Sequence, residues 1–364
     1  MTMLLGLSSA IPIPLRAASA DTSMRFPADF GTHAESHIEW WYVTGSLQAA
    51  TSVRGDDARP GMRDEPRLWG FQVTFFRALT GLAPNPASRF APGELLFAHA
   101  ALSDLADARL LHDQRIARSG FGIAQAALGD TGVRLRDWQL QRNTDNNYHA
   151  IVASETAGFA LDLVLAPTQP VLLQGEAGLS RKGPEPESTS RYYSEPQLAV
   201  RGTLTQKGAS LPVTGRAWLD HEWSDHVLPA GAVGWDWIGM NLDDGAALTA
   251  FRLRRADGST VYAGGSFRDK GGAVRNFGPT DVAFAPGRLW QSTASKARYP
   301  VRWDLRTPAG IFTVAALLDA QELDSRQSTG SFYWEGLSDL LDASGRRIGR
   351  GYLEMTGYAG MLKL

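Results

Sequence analysis

The chain has 364 residues, 36 basic and 38 acidic side chains, and a formal net charge of −2. With the two signs well mixed and no basic stripe among aromatics, charge-driven binding to nucleic acid or to an anionic membrane is excluded. The absence of cysteine also excludes disulfides, thiolate metal sites, iron–sulfur clusters and cysteine nucleophiles.

Residues 1–20, MTMLLGLSSAIPIPLRAASA, are small and apolar, and Ala18-Ser19-Ala20 before Asp21 reads as a cleavage site. An export signal is expected, with a periplasmic or secreted protein as its consequence, although a basic start is missing and Arg16 interrupts the apolar run. The other reading is a disordered leader. No further stretch is long enough for a membrane-spanning helix.

His37-Ile38-Glu39-Trp40-Trp41-Tyr42 has the composition of a strand, ended by Gly45-Ser46. Alternation puts His37, Glu39 and Trp41 on one face, and Ile38, Trp40 and Tyr42 on the other. Gln48 to Pro66 reads as an exposed loop leading to a second strand, Leu68 to Arg77. Glu94 to Leu105 fits a helix, while His99 to Leu102 also suits a strand. Val133 to Leu140, Phe159 to Leu165, Leu198 to Leu204, Leu248 to Arg254, Val301 to Leu305 and Ile311 to Leu317 alternate as strands. Between them stand turn signals such as Asp243-Asp244-Gly245 and Ala256-Asp257-Gly258. The polar segment Ser180 to Ser190 is the expected linker. The division is therefore a leader at 1–20, one domain at 21–185 and a second at 190–364. Trp40 to Leu47, returning through Phe71 to Arg77, is echoed by Trp235 to Leu242, returning through Leu248 to Arg254. The expectation is all-β: two related antiparallel β-barrel domains packed side by side.

Three segments set carboxylates beside tryptophans. His37 and Glu39 fit a proton-transfer pair or a buried ion pair, and His33, four residues earlier, adds a metal reading. In Asp220-His221-Glu222-Trp223 the two acids share one face, as a pair with split pKa values would, or as a charged strand end would. Asp236, between Trp235 and Trp237, fits an acid kept protonated by desolvation, or part of an aromatic anchor. Arg191-Tyr192-Tyr193-Ser194 fits a ligand-head site or an interface stitch. No G-x-S-x-G elbow and no phosphate-cradling glycine loop is present.

These motifs, with Thr44-Gly45, Phe71-Gln72-Val73-Thr74-Phe75-Phe76-Arg77, Gly234-Trp235-Asp236-Trp237 and Gly351-Tyr352-Leu353-Glu354-Met355-Thr356-Gly357-Tyr358, together resemble the AttH-like / carotenoid 1,2-hydratase superfamily over residues 26–361. The resemblance implies two lipocalin-like barrels, an apolar cavity near their interface, and cofactor-free hydration of isoprenoid double bonds. The chain departs from the hydratase pattern on Leu248 to Leu253, which lacks the acid expected there. Asp236, His37, Glu39, Asp220 and His221 are the expected catalytic set, with Asp236 as first choice of acid. Trp40, Trp41, Tyr42, Arg191, Tyr192, Tyr193, Trp223, Trp235 and Trp237 are the expected ligand-binding set. No metal, no cofactor and no nucleic-acid partner are expected. The partner is an apolar isoprenoid- or lipid-like small molecule bound by a monomer, which acts as a hydratase or hydrolase. In the alternative reading the protein is a lipid carrier serving an envelope ABC-type transporter.

Overall fold

The computed structural model describes residues 23–50, 67–81, 93–226 and 228–361. The expected leader and residues 51–66 of the expected loop lie outside them. Apart from one 3₁₀ turn at Ala28–Phe30, the regular structure is β, and every strand pairing is antiparallel. None of the described helices is long and apolar enough to cross a membrane.

Two large sheets and one two-stranded ribbon hold the described strands. The first has 13 strands and is centred on Ile38–Ala49, which lies between Leu68–Leu79 and Ala209–Ser224. It curls until Glu94–Asp104 and Arg109–Arg118 meet Gly132–Leu135 from its far end, where Arg115 lies over the Trp138 ring at 4.3 Å. The second sheet has 10 strands and is centred on Gly234–Leu242, between Ala247–Arg254 and Arg347–Met355. The wiring is the same in both. An aromatic strand pairs with the strand that follows it and with the last strand of its sheet, so the echoed hairpins occupy equivalent places.

The alternation sorts the cores. Trp41, Val43, Phe71 and Val73 fill the first barrel, while Ile238, Met240, Trp303 and Leu353 fill the second. Tyr42, Trp218, Trp237, Leu337 and Tyr352 form a third cluster, where the sheets pack face to face. Gly239 is required there. A Cβ on it would stand 2.3 Å from the Trp237 ring, which folds across the bare backbone.

Two expectations need correcting, at Ser180 to Ser190 and at Val133 to Leu140, and one open choice, at Glu94 to Leu105, is decided. Ser180 to Ser190 does not separate the sheets. Leu179–Arg181 pairs with Thr189–Gln206, both belong to the first sheet, and the changeover falls at residues 225–233. A polar, proline-bearing segment is as typical of a hairpin turn as of a linker. Glu94–Asp104 is a strand, because its long apolar run is buried on both faces. Val133 to Leu140 divides into Gly132–Leu135 and Trp138–Arg142 around Arg136, whose φ of +59° turns the chain.

Candidate active site

The two aromatic strands build one cleft from two equivalent rows. In the first sheet Trp40 stands between Phe76 and Glu222, and Glu222 faces Tyr192 on the next strand. In the second, Trp237 stands between Phe251 and Glu354, and Glu354 faces Glu335. All eight line a cleft of about 760 Å³, mouth included, together with Tyr42, Gln72, Lys182, Asp220, Trp235, Leu253 and Tyr333. Apolar rings thus surround four carboxyl groups.

The carboxyl groups differ in their partners. Glu222 meets Ser190 Oγ at 2.5 Å and Lys182 Nζ at 2.8 Å. Asp220 accepts Ser194 Oγ at 2.5 Å, Trp218 Nε1 at 2.6 Å and Tyr192 Oη at 2.8 Å. Burial outweighs these bonds and raises its pKa to about 7. Burial likewise raises Glu354 to about 8, against a hydrogen bond from Trp235. Glu335 is the extreme case. It is 2% exposed, and its carboxyl approaches the Tyr42 hydroxyl without making a well-aligned hydrogen bond. Burial first, then repulsion from Glu354, holds its proton well above the usual carboxyl range.

Behind the first sheet, inside its barrel, lies a second polar cluster. Glu39 accepts Thr32 Oγ1 at 2.6 Å, His33 Nδ1 at 2.8 Å and His221 Nε2 at 2.9 Å, with Arg77 3.8 Å away. Burial works to raise Glu39, but the bonds from His221, His33 and Thr32 prevail and hold it at about 2. His33 stacks on Trp223 at 3.6 Å and His221 on Trp41 at 4.6 Å. His33 also reaches Asp29 at 3.2 Å, and His221 meets the Tyr193 hydroxyl at 3.1 Å. The ligand atoms of His33, Glu39 and His221 lie within 4.8 Å of one another. Glu39 is nevertheless at hydrogen-bond distance from both imidazoles, and the Arg77 cation stands beside the carboxylate, so the arrangement fits a proton-bridged ion cluster better than a metal shell.

The family model described as AttH-like matches residues 17–358, nearly the whole chain. The chain belongs to the AttH-like family. A crystal structure of a Nitrosomonas europaea protein provisionally called AttH is 44% identical to it. That match covers 97% of this chain and 99% of that one, with a TM-score of 0.83. The crystal structure of kievitone hydratase from Nectria haematococca is 14% identical, covers 93% and 94%, and has a TM-score of 0.68, so it shares the fold. The kievitone hydratase of Fusarium solani subsp. phaseoli is 24% identical over 205 residues, which span 54% of each chain.

In this AttH-like chain the expected catalytic residues separate into three places. Glu39 and His221 meet inside the first barrel. The second imidazole there is His33 and not His37, because the chain turns before the strand begins and the alternation does not extend back to residue 37. Asp220 lies on the opposite face of its strand, in the cleft. Asp236 is in neither place. It points into the second barrel, where Arg252 Nε at 2.6 Å, Arg254 Nε at 3.3 Å and Tyr358 Oη at 2.8 Å surround it. The flanking indoles of Trp235 and Trp237 line the cleft on the opposite face, so they do not surround its carboxyl, which pairs with two arginines outside the cleft.

Of the expected ligand-binding residues, Trp40, Tyr42, Tyr192, Trp235 and Trp237 line the cleft. Trp41, Tyr193 and Trp223 pack around His221 in the barrel. Half-buried Arg191 pairs opposite Trp223 and does not line the cleft. Sequence reasoning missed Glu335, Glu354, Tyr333 and Lys182. Glu354 holds in the second row the place that Glu222 holds in the first, opposite the cleft tryptophan, and the echoed hairpins do not reach it. Tyr333 carried no signal of its own. Its hydroxyl accepts Gln72 Nε2 at 3.0 Å and meets His99 Nδ1 at 2.8 Å, a contact between sheets that strand patterns cannot register.

Proposed function

We propose that the protein adds water to a carbon–carbon double bond of an apolar, isoprenoid-like ligand held in this cleft, by acid catalysis and without a cofactor. The observation that carries the reading is Glu335: a buried carboxyl facing an aromatic cleft, with the Tyr42 hydroxyl and Glu354 as its polar neighbours. A carboxylic acid kept neutral at pH 7 can donate its proton. The alkene takes that proton onto one carbon, leaving a carbocation on the other and a carboxylate on Glu335. The faces of Trp40, Trp237 and Tyr42 stabilise the cation. Water attacks the cationic carbon and passes a proton to Asp220, whose pKa near neutrality suits a group that accepts and returns protons. Asp220 then releases that proton to solvent and solvent returns one to Glu335, so the net change is alkene plus water to alcohol.

The fold shared with kievitone hydratase and the sequence match to it support this reaction class. Export to the periplasm, implied by the leader-like start, belongs to the same proposal. The test is turnover of kievitone and of simple terminal-isoprenyl alkenes by the purified chain, followed by mass spectrometry. Glu335→Gln is expected to reduce turnover by about a hundredfold or more while ligand affinity changes little. Stoichiometric binding of these alkenes with no turnover by the wild type would replace the enzyme with a carrier.

A further inference from the structure

The faces that form the cleft continue past it, and there the charge changes sign. Trp218 and Leu337, both buried, pack against the cleft's Tyr42 and Trp237 and close its inner end. On their other side the sheets leave a second pocket of about 860 Å³, mouth included. Alternation explains what lines it. Thr44 and Gln48 share a face with Trp40 and Tyr42, and Arg216 shares one with Asp220 and Glu222. Arg347 and Arg350 come from the strand that carries Glu354.

Three guanidinium groups converge on this pocket, and Asp243 is the carboxylate in its lining. Arg350 is held by Asp339 at 2.7 Å. Arg216 and Arg347 reach Asp243 only at 3.9 and 3.5 Å, longer than a charge-assisted hydrogen bond, and both are nearly half exposed. Arg216 gives one further N–H to the Leu242 carbonyl at 3.1 Å. A separate observation lies in the pocket's wall. The Thr44 hydroxyl is 1% exposed and has no hydrogen-bond partner. A buried hydroxyl without a partner is costly, and native proteins rarely leave one unless something else meets it.

We propose that this pocket binds a small oxyanion, a phosphate or carboxylate group. Arg216 and Arg347 would turn their planar N–H forks from Asp243 to the anion, and the Thr44 hydroxyl would donate to it. The cleft is lined by apolar rings and carboxyl groups and holds no arginine among the described residues, so the two sites are chemically distinct, and this one does not depend on the hydration reading.

Isothermal titration of the full chain at low salt, with inorganic phosphate and then with succinate, tests the proposal. The expected result is one site with a Kd of about 1 mM or tighter for at least one of them, weakened by added sodium chloride. Which of the two binds better identifies the phosphate or the carboxylate source. Arg216→Gln/Arg347→Gln should weaken binding roughly tenfold or more and Thr44→Val several-fold, while Glu335→Gln should bind as the wild type does. Circular dichroism without anion checks that the double variant is folded. Should it fail to fold, Arg347→Gln alone gives the same reading. No heat from either anion, or equal affinity in the arginine variants, would overturn the proposal.

Discussion

Replacing Glu354 by glutamine should stabilise the protein at high pH relative to low pH. Burial holds this carboxyl at about 8 in the folded chain, against an ordinary value of 4.5. Between those values the unfolded chain has released its proton and the folded chain has not, so folding becomes less favourable as pH rises. At about 1.4 kcal/mol per pH unit, the full difference is worth ~5 kcal/mol, most of it lost between pH 5 and pH 8. Below the unfolded value both states are protonated and the stability is intact. Glutamine keeps the shape and cannot ionise. The stability of Glu354→Gln minus that of the wild type should therefore move in the variant's favour by ~4 kcal/mol from pH 5 to pH 8. Any constant cost of the amide cancels in that comparison. Urea unfolding of both proteins at the two pH values measures it. Parallel stabilities, within about 1 kcal/mol at both pH values, would refute the claim that the cleft keeps its acids neutral.

Glu39 should behave in the opposite sense. Its pKa is lowered from 4.5 to about 2, so its contribution is present above pH 4.5 and is lost as pH falls towards 2, by ~3 kcal/mol. Glu39→Gln should flatten that acid limb in equilibrium unfolding and lower stability at neutral pH. A limb as steep as the wild type's would assign the effect to other groups. Asp236→Asn should cost about 3–5 kcal/mol, because it leaves Arg252 and Arg254 buried without their counter-charge. Turnover per folded molecule should stay near wild type, and a specific loss of kcat in a protein of unchanged melting temperature would return Asp236 to the chemistry. Gly239→Ala should displace the Trp237 ring and weaken ligand binding without touching an acid. Tryptophan fluorescence titration reads this, and unchanged affinity would show that the ring tolerates the extra carbon.

Much of this was legible in the chain because β structure has a period of two. Glu39 and Trp41 facing away from Trp40 and Tyr42, and Asp220 and Glu222 facing away from His221 and Trp223, follow from alternation alone. The same rule argued against Asp236 as an acid between indoles, since neighbours along a strand point to opposite sides. What alternation cannot show is which strands of different sheets come face to face. Glu335 stands between Trp334 and Gly336 with nothing polar beside it in sequence, and only sheet packing buries it beside Tyr42 and Glu354. Lys182 was hidden in a segment whose polarity reads as a linker, although its amine reaches back to Glu222.

Turnover of a terminal-isoprenyl alkene in deuterated, heavy-oxygen water bears most directly on the hydration mechanism. The wild type should give an alcohol with one deuterium on carbon and its oxygen from solvent, and Glu335→Gln should lose about a hundredfold or more of that rate. A product without carbon-bound deuterium, or a glutamine variant as fast as the wild type, would contradict Glu335 as the proton donor.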